Sequence, residues 1–162
     1  MKNVLTYVTL ILVFAFQTTI GRYIEIFNVM PNLMLVLAVC YSIYAVPVKA
    51  TVFSLCAGIL MDVFAAKHLG INALMMMYLG MMLSCITSGY IRTNFVMALI
   101  TVGISTILYE GLYGFLLYFI FSKTTLSTMF SVVFIEVLYN MIVACGIYWL
   151  GRYLAYDEIR SF

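Results

Sequence analysis

Charge is so sparse along this chain that it falls into long uncharged runs, and this feature restricts what the polypeptide can become. The runs cover residues 3–21, 26–48, 50–61, 69–91, 93–109, 111–122, 124–135 and 137–151. A helix needs about 20 mostly apolar residues to cross the roughly 30 Å hydrocarbon core of a bilayer. Charged residues make up 9% of the 162, where a soluble domain carries about a quarter. Mean hydropathy is +1.15. A soluble globular domain and a disordered chain are both excluded. A net charge of +2, thinly spread, gives no phosphate-binding footprint, so nucleic acid is not an expected partner. The chain reads as an all-α integral membrane protein whose first partner is the lipid bilayer.

Residues 4–20 form one expected span and 71–91 another. Between them, Pro47 and Lys49 divide a long apolar stretch. Proline disfavours helix in the residue before it and suits the first turn of a new one. The spacing therefore predicts a turn around 45–49, with short spans at 32–46 and 48–66. Residues 95–121 make about 40 Å of helix, too long to cross upright and too short for two crossings. The last span is 125–150. The expectation is a single transmembrane domain over 1–162 with six spans, or five if 32–66 does not make two crossings. The runs do not alternate as barrel strands would. Lys2 and the apolar run behind it lack a small-residue cleavage site, so an uncleaved first helix is expected.

With six spans and the N-terminus inside, Lys2, Lys49, Arg92, Arg152 and Arg160 lie on the cytoplasmic side, against Arg22, Lys67 and Lys123 outside. This cation excess favours cytoplasmic N- and C-termini. Cys40, Cys56, Cys85 and Cys145 sit singly in apolar runs with no ligand cluster, and His68 is alone. No metal, cofactor or catalytic motif is expected. Met75, Met76 and Met77 read as adaptable packing.

Three carboxylates need a reason, because an ionised side chain in hydrocarbon costs roughly 2.5–3.5 kcal/mol. Asp62 ends an i, i+4 ladder of Ala50, Ser54 and Gly58, a smooth face that another backbone can approach closely. It is placed to cap the following turn or to pair with Lys67. Glu110 precedes Gly111 and Gly114, where a neighbouring helix has room to pack. Glu136 and Asn140 share a helix face one turn apart. Glu110 and Glu136 are expected to set helix register or meet a partner's helix. A proton or cation relay is the competing reading. Tyr109, Tyr113 and Tyr139 lie deep enough to require hydroxyl partners.

Several short motifs carry a family likeness. Pro31, Asn32 and Leu33 open the second span; Gly58 and Asp62 close the third; Leu69, Gly70 and Ala73 open the fourth; and Glu110 lies in the fifth. Their order, spacing and the chain length resemble the bacterial rod-shape-determining protein family MreD over nearly the whole sequence. The resemblance implies a non-enzymatic scaffold subunit of the cell-elongation complex in the bacterial inner membrane. It further implies an MreC-like single-pass partner, association with RodA, a class B penicillin-binding protein and MreB, and a supporting role in peptidoglycan synthesis.

Chains of this kind are also similar in plan to the substrate-binding subunits of energy-coupling-factor vitamin transporters, which is the alternative reading. Those subunits dock through an Ala-x-x-x-Ala face on the first helix, where this chain has Ala15 among large residues. Arg22, Glu25 and Asn28 are the residues that could line part of a polar cavity beneath the outer loops.

Overall fold

A computed structural model describes residues 2–25, 29–65, 70–90, 94–121 and 126–154. Six helices follow one another: α1 Lys2–Ile20, α2 Leu33–Ser42, α3 Pro47–Ala65, α4 Ile71–Tyr90, α5 Phe95–Phe121 and α6 Leu126–Leu154. A 3-10 turn, Gly21–Ile24, follows α1. No strand occurs among the described residues. Leu69, Lys67, His68, Asn28, Arg92, Lys123 and Arg160 lie outside the described residues.

The second helix departs most from its expected length. It has 10 residues, about 15 Å, half the thickness of a bilayer core. All 10 are buried, and α2 touches each of the other five helices. Being apolar on every side, it is suited to the centre of the bundle and not to its lipid-facing rim. Its C-terminal end tightens into a turn in which Ala45 N donates to Tyr41 O at 3.0 Å. Ser84 Oγ from α4 donates to the Ala45 carbonyl. Pro47 then starts α3, where its missing N–H has no consequence.

Helices α3 and α4 form an antiparallel hairpin with very close backbones. A Cβ on Gly58 would stand 2.5 Å from Ala73 Cα and 2.6 Å from the Asn72 carbonyl oxygen. A Cβ on Gly80 would stand 2.7 Å from Ser54 Cβ and 3.0 Å from the Ala50 carbonyl oxygen. The face formed by Ala50, Ser54, Gly58 and Asp62 is therefore filled by α4 of the same chain. That occupancy leaves no room there for a partner's helix. A similar approach joins α6 to the centre, since a Cβ on Gly151 would come within 2.7 Å of Cys40 Cβ.

The outer surface is apolar, with Ile142, Phe134 and Trp149 each about two-thirds or more exposed. Patches of this extent are unsuited to water and match hydrocarbon. Phe95–Leu116 and Val133–Leu154, 22 residues each, are long and apolar enough to cross a membrane. Helix α1 stands partly apart from α6. The lateral groove between them holds about 650 Å³ and is lined by Leu12, Phe16, Leu33, Tyr139 and Val143 among others.

Candidate functional site

A helix that begins inside a packed bundle presents N–H groups with no intrahelical acceptor, and lipid supplies none. At the start of α2, three side chains supply the acceptors. Asn32 Oδ1 accepts from Leu35 N at 3.0 Å, as an N-cap. Gln17 of α1 accepts from Met34 N at 3.0 Å through Oε1. Asn140 of α6 accepts from Asn32 N at 2.8 Å through Oδ1. Asn140 is fully buried and also donates through Nδ2 to Thr106 Oγ1 of α5 at 3.2 Å. Thr106 in turn donates to the Val102 carbonyl at 2.9 Å.

Glu136 lies one turn before Asn140 and is hydrogen-bonded to it. Across the α5–α6 seam it lies beside Glu110. The structure thus brings Glu110, Glu136 and Asn140 together. It does not bring a helix against Gly111, where an added Cβ would meet nothing within 4 Å.

The α3–α4 joint is built in the same way. Asp62, 3% exposed, faces the first turn of α4. Its Oδ2 accepts from Gly70 N at 3.0 Å and Ala73 N at 2.9 Å, and its Oδ1 accepts from Asn72 N at 3.2 Å. A carboxylate at a helix N-terminus meets both free donors and the positive end of the dipole. Gly70 reaches this position with φ +95°, a left-handed conformation suited to glycine. Pairing of Asp62 with Lys67 falls outside the described residues.

Tyr109 links the two joints. Its hydroxyl donates to Asn72 Oδ1 at 2.6 Å, and its ring stacks on Tyr113 with centroids 6.3 Å apart. Glu110 follows it directly in the chain. The result is one buried polar layer to which all six helices contribute: Gln17, Asn32, Asp62, Asn72, then Thr106, Tyr109 and Glu110, and finally Glu136 and Asn140. It lies toward the end of the bundle where α3 hands over to α4. Helices α5 and α6 continue about ten residues, roughly 15 Å, past it.

Most of this layer's polar atoms are matched to protein donors and acceptors, so what it does chemically is hold helices at a fixed height. Hydrolytic acid–base work needs a carboxyl within reach of a substrate proton or water. Asp62 and Glu136 are instead engaged by neighbouring helices.

The motif residues now have a physical meaning. Asn32 caps α2; Gly58, Asp62, Gly70 and Ala73 build the α3–α4 joint; Pro31 and Leu33 flank the cap. Sequence reasoning missed Gln17, Asn72 and Thr106 as members of the layer. The available signal was a side-chain amide or hydroxyl inside an apolar run, which requires a partner whatever its charge.

No curated protein and no solved structure matches the chain. The family model described as rod shape-determining protein MreD matches residues 1–156, nearly the full length. The chain therefore belongs to the MreD family, membrane proteins of the rod-shape system.

Proposed function

We propose that this chain is a non-enzymatic scaffold subunit of the cell-elongation complex, crossing the bacterial inner membrane six times with both termini in the cytoplasm. It binds the transmembrane helix of an MreC-like partner and, through that contact, supports peptidoglycan synthesis by RodA and a class B penicillin-binding protein in register with MreB. The observation that carries the reading is the family match over residues 1–156. The polar layer supports it, because its carboxyls serve joints between the chain's own helices.

The small-residue face of α3 is already filled, so the contact surface for a partner belongs on the outward faces of α5 and α6. Ile104, Ile107 and Leu108 on α5 are about half exposed, as is Leu138 on α6. Membranes carrying the full chain and a tagged MreC-like protein provide the test. Co-purification, lost when Ile107 and Leu138 are changed to Trp while the variant still inserts, supports the scaffold. Copurification with a pair of ATPase subunits instead would replace it with the transporter reading.

A further inference from the structure

We propose that this chain imposes a one-sided step on its bilayer, with acyl chains reaching about 10 Å higher along α5 and α6 than along α1, α3 and α4. The inference rests on the reading that these helices cross the bilayer, and on their lengths measured from the shared polar layer. Away from the α3–α4 turn, α1, α3, α4, α5 and α6 all end about 22 to 27 Å from that layer, at Lys2, Pro47, Tyr90, Phe95 and Leu154. Phe95 of α5 meets Tyr148 of α6 edge-on near this end, with ring centroids 5.2 Å apart. This end is flush.

The other end is not. Helices α1, α3 and α4 stop within about 5 Å of the layer, at Ile20, Ala65 and Ile71. Helices α5 and α6 run on about 15 Å, to Phe121 and Leu126. The first group has 19, 19 and 20 residues, about 28 to 30 Å, which matches a hydrocarbon core. The second has 27 and 29 residues, about 40 to 44 Å, which exceeds it.

Tilt is the usual remedy for a long span. Here it fails, because a rigid bundle that tilts shortens both groups by the same factor. The groups are tied together: Asn140 of α6 accepts from Asn32 N at 2.8 Å, and Tyr109 of α5 donates to Asn72 of α4 at 2.6 Å. Composition decides what surrounds the projecting hairpin. Residues 111–121 and 126–135 contain no charge. Leu112 and Phe115 on α5 and Phe134 on α6 are each more than half exposed. Such a surface is unsuited to water, so acyl chains cover it. Glu25, exposed just after α1, requires water or headgroups at the lower level. The bilayer therefore adjusts where the protein does not.

Depth measurements on the full chain in dioleoyl phosphatidylcholine vesicles test the step. Trp149 is the sole tryptophan, so Trp149→Phe gives a blank background. In it, Phe115→Trp places a probe on α5 and Val63→Trp places one on the exposed side of α3. Position 115 stands about 6 Å further than position 63 toward the stepped end. Quenching by acyl chains brominated at different depths is nevertheless expected to place the position-115 probe about 4 Å deeper in the hydrocarbon. A flat boundary reverses that order and overturns the step. Aqueous acrylamide quenching the position-115 probe alone also overturns it, and leaves the hairpin to be covered by a partner protein. Acrylamide quenching both probes, with no effect of bromine, removes the bilayer crossing itself, a distinguishable failure. Phe134→Trp on α6 and Ile59→Trp on α3 repeat the comparison, with the same order expected, where a first probe fails to insert. Failure of both probes on one flank overturns the proposal, because lipid-facing positions accept tryptophan.

Discussion

Asp62 and Ser105 are both buried polar side chains on a helix, and they predict opposite outcomes. Asp62 satisfies three backbone donors at the start of α4. Asp62→Ala leaves all three N–H groups without an acceptor where water is scarce, and is expected to destabilise the fold by about 3 kcal/mol. Ser105 Oγ, on a residue 1% exposed, has no hydrogen-bond partner. Ser105→Ala removes an unsatisfied group and is expected to stabilise by about 1 kcal/mol. Paired melts in one detergent measure both. Each lies in an otherwise apolar stretch, Ser105 with Thr106 directly after it, and nothing in the sequence marks which of the two is satisfied. Asp62 was legible because a small-residue ladder leads to it and glycine follows. Asn140 was legible through its i, i+4 relation to Glu136. Its bond to Asn32 spans 108 positions, and no local pattern announces such a pairing.

Glycines separate the joints from the open faces at the scale of whole helices. Gly58 lies against the backbone of α4, so Gly58→Leu is expected to prevent the α3–α4 hairpin from closing and to abolish accumulation of inserted protein. Gly111 faces open space, and Gly111→Ala is expected to raise stability by up to about 1 kcal/mol through helix propensity. Immunoblots of the membrane fraction, followed by melts of whatever accumulates, distinguish the two. The ends of α3, α4 and α5 were readable from Pro47, from Gly70 and from the charged loops. The shortness of α2 was not. Its residues belong to the uncharged run 26–48, and a continuous apolar run carries no mark where helix gives way to non-helical chain. Its start was marked by Pro31 and Asn32, and the shortfall is at the other end, where helix stops at Ser42 and not at the expected 46; what allows α2 to begin inside the bundle is three side chains, two of them on distant helices.

For the molecule as a whole, the six-crossing arrangement proposed above predicts which loops each side of the membrane can reach. In a cysteine-free background, single cysteines at Lys49 and Lys123 are expected to react oppositely with a membrane-impermeant thiol reagent on intact spheroplasts. Lys123 labels and Lys49 is protected; reversal of that pattern turns the bundle over. Cation counts carried this orientation, and nothing in helix packing adds to it.

The dependence of α2 on α6 has a consequence for how the protein is made. Ribosomes deliver the chain from its N-terminus, so the central helix reaches the membrane long before Asn140 has been synthesised. Until then its leading amide groups lack one of their acceptors, and a ten-residue rod is too short to settle as an independent span. The nascent protein must therefore wait in an unfinished state, and its centre locks only when the final segment arrives.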